Sequence, residues 1–209
     1  QAHLLATRPV SFCLYGPPGT GKSAWLRRVA EHMEMEVLQK RASDLLSKWL
    51  GETEQRIAEA FEEARSDGAF LIIDEADSLL IERGASRASW ENSTVNELLT
   101  WMEAHPIPFG CTTNHLAHLD RASLRRFTFR IECRYLDQAQ VRKAFRRFFD
   151  LPPPRDLDLL DRLTPADFAL ARRQSHLLGV PDDAYRLVQT LSETMAQREG
   201  IRRPIGFAA

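Results

Sequence analysis

Cysteine is scarce in this sequence of 209 residues: Cys13, Cys111 and Cys133 are the only three. They lie in or beside apolar runs, share no metal-ligand spacing and, being odd in number, cannot make a complete disulfide framework. Buried, reduced thiols in a reducing compartment, the cytoplasm, are therefore expected. Long hydrophobic runs are lacking too. Nothing approaches the ~18 apolar residues of a membrane span, and no signal-peptide pattern opens the chain. An excess of one charge is missing: 28 Lys and Arg face 29 Asp and Glu, for a net charge of −1. That removes any global electrostatic argument for nucleic acid or a membrane surface. There are no internal repeats and no low-complexity tract, and His-Glu-x-x-His, the zinc-protease motif, occurs nowhere. The chain opens at Gln1, without Met, almost directly on its first strand, and is expected to be a piece of a longer protein. What remains is an ordinary globular composition, 44% hydrophobic and 27% charged, with length for one large domain and one small one.

What is present begins with "FCLYGPPGTGKSAW", residues 12 to 25. Gly16-Pro17-Pro18-Gly19-Thr20-Gly21-Lys22-Ser23 has the spacing of a phosphate-binding loop. Its glycines let successive backbone N–H groups point into one concavity. Lys22 is placed to reach terminal phosphates and the Ser23 hydroxyl to ligate Mg²⁺, while the helix that starts at Lys22 adds its positive end. The phosphates of a nucleotide, with Mg²⁺, are what this loop predicts.

Apolar runs predict strands at Val10–Tyr15, Ala69–Asp74, Pro108–Thr113 and Phe127–Cys133, with a weaker one at Glu36–Lys40. Helical periodicity alternates with them. Ile57, Ala60, Phe61 and Ala64 mark one buried helix face, and Val95, Leu98, Leu99 and Met102 another. Strands alternating with helices predict an α/β fold, a parallel sheet sandwiched by helices. After Cys133 no further strand run occurs. Val141, Ala144, Phe145 and Phe148 mark one amphipathic helix. Ala184, Leu187, Val188 and Leu191 mark another, with Asp182 and Asp183 at its start. Between them Thr164 caps a helix that opens on Pro165. The expected division is 1–135 for the α/β part and 136–209 for a helical appendage.

"FLIIDEADSLL" supplies a second half to the nucleotide site. Its four apolar residues end in Asp74-Glu75, at the carboxyl end of a parallel strand, where open sheets bind ligands. Asp74 is expected to support Mg²⁺ through water and Glu75 to orient and polarise an attacking water. Asn114, just past the next strand, is expected near Glu75 and the terminal phosphate, as a neutral amide that positions water.

With these motifs the sequence resembles the AAA+ ATPases, and within them the narrower AAA family that remodels proteins, over residues 10 to 198. The family carries a basic–aromatic–aliphatic–Gly loop followed by Glu-Ser/Thr-Glu, and here the chain reads Lys48-Trp49-Leu50-Gly51-Glu52-Thr53-Glu54. The resemblance implies that this loop lines the pore of a homo-hexamer and grips an extended polypeptide. "LDRASLRRFTFRIE", residues 119 to 132, is similar to the family's second region of homology. It implies that Arg125 and Arg126 reach the ATP of a neighbouring subunit. The short Arg-Arg-Phe form most resembles relatives that disassemble membrane-remodelling polymers or sever microtubules. The helical appendage becomes the family's lid. It lacks the arginine with which many AAA+ relatives sense the γ-phosphate, and Arg172 and Arg173 lie too far along to replace it. The resemblance does not extend to the family's segment ahead of the first strand, which helps hold adenine, so base specificity is not read.

Other features carry less. Trp25, Trp90 and Trp101 are expected to pack, and His115 and His118 are not expected to hold a metal. Arg83 and Arg87 lie where relatives carry a second pore loop. Residues 121–150 hold nine basic residues against three acidic ones, an excess that suits a face meeting an acidic neighbour and leaves DNA contact as the alternative. Two rivals stand beside the protein remodeller: a DNA-acting AAA+ ATPase of the helicase-loader kind, and a nucleotide-dependent scaffold with slow hydrolysis. The Lys48–Gly51 loop favours polypeptide over nucleic acid. Asp74, Glu75, Asn114 and both arginines favour hydrolysis.

Overall fold

The computed structural model describes residues 9–49, 51–80, 89–115, 124–179 and 183–198, with the side chains of 89–95 excepted. Leu50, Arg83, Arg87, His118 and Asp182, and the side chains of Trp90 and Val95, lie outside the described set. The chain divides into two compact units, Gln1–Cys133 and Arg134–Ala209.

In the first unit, the apolar runs form strands β1 (Ser11–Tyr15), β2 (Val37–Arg41), β3 (Phe70–Asp74), β4 (Phe109–Thr113) and β5 (Phe129–Glu132). All pairings are parallel, in the order β2-β3-β4-β1-β5. The period of two sends alternate residues to opposite faces, and both faces are covered. Phe12, Leu14, Phe70 and Ile72 pack with Leu26 and Ala30 of helix α1 (Lys22–His32). Cys13, Leu71, Ile73 and Cys111 face the other way. They pack with Ile57, Phe61 and Ala64 of helix α3 (Glu52–Asp67) and with Leu98, Leu99 and Met102 of helix α4 (Ser89–Ala104). A one-turn helix α2 (Ala42–Leu45) follows β2. Each large side chain of this core that is fully buried contributes roughly 1.5–3 kcal/mol.

At Gly110 the absence of a side chain is structural. A Cβ there would stand 2.5 Å from Leu26 Cδ2, so glycine is what lets α1 seat on β4. The run around β5 departs from expectation. It reads as a buried strand, yet β5 is the sheet's edge and Phe129 is 47% exposed. Trp25 departs too, at 41% exposed, with its ring set edge-to-face with that of Phe12. Trp101 does pack, stacked on Phe61.

His105 closes α4 and is buried between the rings of Phe61 and Phe109, with no hydrogen-bond partner for Nε2 among the described residues. Burial, reinforced by Arg65, lowers its pKa from 6.5 to about 4, so it is neutral in the folded chain. Between these values the unfolded chain binds a proton that the folded chain refuses. The stability contributed by neutral His105 is therefore fully present above pH 6.5 and is lost as pH falls towards 4. Urea unfolding at pH 7 and pH 5 is expected to show this loss, on the order of 1–2 kcal/mol. His105→Leu is expected to reduce the difference between the two pH values, and an unaltered difference would assign the acid sensitivity to other groups.

The second unit is helical among its described residues: α5 (Gln138–Phe149), α6 (Pro165–Leu177) and α7 (Ala184–Arg198). Asp137 caps α5, accepting from Gln140 N at 2.8 Å. Thr164 precedes Pro165 as expected and donates through its N–H and hydroxyl to Asp167, at 2.7 and 2.8 Å. Val141, Phe145, Phe149, Phe168, Leu187 and Leu191 fill the core of this unit. Arg198 at the end of α7 pairs with the buried Asp167 and lies over the Tyr135 ring.

Candidate functional site

The loop between β1 and α1 turns through Gly16, Gly19 and Gly21, all at positive φ. Gly16 is the tightest: at φ 130° its missing Cβ would lie 2.0 Å from the carbonyl oxygen of Cys133, just past β5. Thr20 Oγ1 donates to Pro17 O at 2.9 Å and ties the loop across itself. Gly21 stands at the N-cap of α1 with no side-chain hydrogen bond to the cap, so the first-turn N–H groups are left for a ligand.

Lys22 is buried, 8% exposed. Its three donors are all used, by Gly16 O at 2.8 Å, Pro17 O at 2.9 Å and Asn114 Oδ1 at 2.7 Å. Every acceptor is neutral, and among the described residues no carboxylate stands within ion-pair distance. Burial holds the ammonium below its ordinary pKa, opposed by Cys133, Asp77 and Asp74. A buried cation solvated only by neutral oxygens, beside an uncapped helix N-terminus, is an arrangement that an anion completes. Cys133 shares this neighbourhood. Burial pushes its thiol up, against the opposing influence of Lys22 and the Thr20 hydroxyl, so it stands protonated at neutral pH.

Beside the loop, Ser23 Oγ donates to Asp74 Oδ1 at 2.6 Å. The same oxygen accepts from Thr112 Oγ1 at 2.9 Å, while Asp74 Oδ2 accepts from the Gln39 amide. Thr112 in turn accepts from the backbone N–H of Glu75 at 3.2 Å. Glu75 is exposed at φ 57° and ψ 42°, the left-handed region, where a non-glycine residue costs about 1–2 kcal/mol. Asp77 orders the end of β4 by accepting from the Thr113 hydroxyl and from Asn114 N, the latter at 3.5 Å.

The structure thus brings together Gly16–Ser23, Asp74, Glu75 and Asn114. Asn114, expected beside Glu75, has its amide oxygen on Lys22. Gln39, Thr112 and Asp77 were missed by sequence reasoning. A threonine pair closing an apolar strand and a glutamine inside another were the available signals. Among the described residues no group of three or more His, Cys, Asp or Glu could hold a metal ion. Ser23 and Asp74 are oxygen donors that suit Mg²⁺ when substrate phosphates supply the remaining ligands.

The other predicted residues lie on two further segments. Lys48 and Trp49 are exposed, Trp49 by 78%, on a loop that ends at Gly51, the N-cap of α3. The base of this loop is tied to the first turns of α3. Ser47 N donates to Thr53 Oγ1 at 2.9 Å, the Ser47 hydroxyl donates to Glu52, and Arg56 pairs with Glu52 at 2.8 Å. The hydrogen bond from Ser47, then that from Arg56, hold the Glu52 carboxyl below its usual range. On the other segment Arg125 is exposed. Arg126 Nε lies 2.6 Å from Glu103 of α4, and its carbonyl accepts from Ser11 Oγ at 3.0 Å.

Residues 12–135 match the ATPase family associated with various cellular activities, AAA. The chain is 38% identical over 128 residues to the protein SUPPRESSOR OF K(+) TRANSPORT GROWTH DEFECT 1 of Arabidopsis thaliana, covering 58% of this chain and 29% of that one. To the ATP-dependent zinc metalloprotease FtsH of Ureaplasma parvum it is 32% identical over 191 residues, 84% of this chain and 26% of the relative. To spastin of Drosophila simulans it is 33% identical over 180 residues, 82% and 24%. The chain spans about a quarter of the length of these curated relatives.

Proposed function

The chain belongs to the AAA family of ATPases, and on that premise we propose that it binds ATP with Mg²⁺, hydrolyses it, and couples hydrolysis to remodelling a polypeptide drawn through the pore of a homo-hexamer. The observation that carries the nucleotide reading is Lys22, a buried cation solvated by three neutral oxygens at the open start of α1. An entering phosphate takes the place of these acceptors, and the Gly16–Ser23 amides surround it. Ser23, and Asp74 through water, would hold Mg²⁺, which neutralises charge on the phosphates. Glu75 orients and deprotonates the attacking water. Asn114, released by Lys22 when phosphate arrives, has its amide free to position that water.

Arg125 and Arg126 act on the nucleotide of the adjoining subunit, where a guanidinium stabilises charge on the transferring phosphoryl group. Trp49, with Lys48, Leu50 and Gly51, contacts the polypeptide. A ring that is 78% exposed beside a glycine offers sequence-tolerant apolar contact, which supports this reading. Three cysteines without a disulfide suit the cytoplasm. No helix among the described residues is long and apolar enough to cross a membrane.

The test is the ATPase rate per subunit as a function of protein concentration. The rate is expected to rise as subunits assemble, and to fall by about 10³-fold or more in Arg125→Ala. Stimulation by an added unfolded polypeptide is expected to vanish in Trp49→Ala. A rate that stays flat with concentration and is indifferent to both arginines would remove the shared site.

A further inference from the structure

Asp74 is held from three sides, and the third has no counterpart in the motifs read from the sequence. Its Oδ1 accepts from two hydroxyls, Ser23 and Thr112. Its Oδ2 accepts from the side-chain amide of Gln39, on the neighbouring strand β2. The parallel register sets Arg41 opposite Asp74 and Gln39 opposite Ile72, two residues back along β3, within reach of a glutamine side chain. The Gln39 carbonyl oxygen is itself engaged. Arg27, on α1, donates to it through both Nε, at 2.9 Å, and Nη2, at 2.7 Å. An amide can turn over and exchange its oxygen for its nitrogen, and a carboxylate, which only accepts, selects the nitrogen end. Two guanidinium donors on the oxygen hold the same orientation from the other end, so the amide is fixed by both partners.

We infer that Gln39 is a positioning residue for the metal-supporting carboxylate, and that Arg27 acts on that carboxylate only through Gln39. The inference rests on the nucleotide reading above. Its physical content is that Arg27 polarises the amide, and the amide passes a hydrogen bond to Oδ2 without placing a cation beside Asp74. A lysine or arginine in direct contact would compete with Mg²⁺ for the carboxylate's charge. A neutral donor restrains the carboxylate and leaves its charge available. The arrangement also joins three elements at one oxygen pair. Ser23 and Arg27 come from α1, Gln39 from β2 and Thr112 from β4, so the orientation of Asp74 is set by the packing of the helix on the sheet.

Two measurements on the 209-residue chain test it: the affinity for a fluorescent, non-hydrolysable ATP analogue in EDTA, and the Mg²⁺ concentration that half-saturates the metal-dependent gain in that affinity. Gln39→Met, of similar length but without the amide, is expected to raise the half-saturating Mg²⁺ about fivefold, below the roughly tenfold that loss of a direct ligand's partner costs, because Asp74 itself acts through water. Binding in EDTA is expected to move less than twofold. Arg27→Met is expected to shift Mg²⁺ demand in the same direction by a smaller factor. The double variant is expected to match Gln39→Met alone, since residues acting in series do not add. An unchanged Mg²⁺ demand in Gln39→Met would overturn the inference, and so would an equal loss in EDTA or a double variant in which the effects multiply. Each of those results leaves nucleotide binding by the unaltered chain intact. A wild-type chain that binds no analogue under either condition would overturn the nucleotide reading, and the role of Gln39 with it.

Discussion

Gly16→Ala is expected to cost the chain nucleotide binding and more than about 3 kcal/mol of stability at once, because the added methyl has nowhere to go. The Cβ would stand 2.0 Å from the carbonyl oxygen of Cys133, at a backbone φ of 130°. Neither partner can retreat cheaply. Cys133 N donates to Tyr15 O at 2.7 Å, which continues the β1–β5 ladder into the loop, and Gly16 O is one of the three acceptors of Lys22. Gly21→Ala is the internal control. It also has a positive φ, but nothing lies within 4 Å of its Cβ. In stability the control is expected to lose only the left-handed penalty, about 1–2 kcal/mol; it serves as a control for the urea midpoint and not for binding, since Gly21 belongs to the phosphate loop. Urea midpoints of the two variants, with titration by an ATP analogue, separate the effects. Equal midpoints would show that the Cys133 contact yields and that only backbone conformation matters.

Glu75 is expected to give the opposite pairing, a more stable chain that no longer turns over. Glu75→Gln keeps the shape and removes the base, and ATP hydrolysis is expected to fall by about 10²–10⁴-fold, the usual contribution of a general base. Glu75→Gly is expected to fall at least as far in turnover. Its thermal midpoint should nonetheless rise, because glycine meets φ 57° and ψ 42° without the ~1 kcal/mol that a side chain incurs there. Glu34, Asp150 and Arg162 share a positive φ, but of the four only Glu75 adjoins Asp74, and on the proposed reading its strain is carried for its side chain's work. The reading fails if Glu75→Gly melts lower than the parent, or if either variant turns over within tenfold of it.

How much of this was legible beforehand differs by kind of interaction. The phosphate loop was legible because its chemistry is local, with four fixed positions inside eight residues and a strand and a helix on either side. The central strands were legible as unbroken apolar runs, since a parallel sheet buries both faces. The α3 face Ile57, Ala60, Phe61 and Ala64 followed from its period, and every one of these residues is buried. Strand order was not legible, because periodicity says nothing of which strands become neighbours. The edge position of β5 was missed for that reason, although its run looks like the buried ones.

Within the site, the partners of Asp74 were the hidden part. Gln39 lies 35 positions away and Thr112 lies 38, and their approach is fixed by β2–β3 and β3–β4 pairing rather than by any spacing. The contact of Asn114 with Lys22 was hidden likewise, across 92 positions. The pair of arginines looked equivalent in sequence. The fold sets them apart, with Arg126 against Glu103 and Ser11 and Arg125 exposed.

If the Trp49 loop grips a polypeptide as proposed, its tie to α3 would set a mechanical ratio. Ser47, Glu52, Thr53 and Arg56 fasten the loop's base to the first turns of a 16-residue helix, which is about 24 Å long. A helix of that length acts as a stiff arm with the aromatic ring near its tip. Tilted by about 8° around its far end, it carries the tip roughly 3.3 Å, one residue of an extended strand, and about twice that angle carries it two residues. Small rotations of one helix are therefore already commensurate with the repeat of a stretched polypeptide. On this geometry the stride would be governed by the length of α3 and by the tightness of the Ser47–Glu52–Arg56 fastening, so loosening the fastening would shorten the stroke without touching the fuel site.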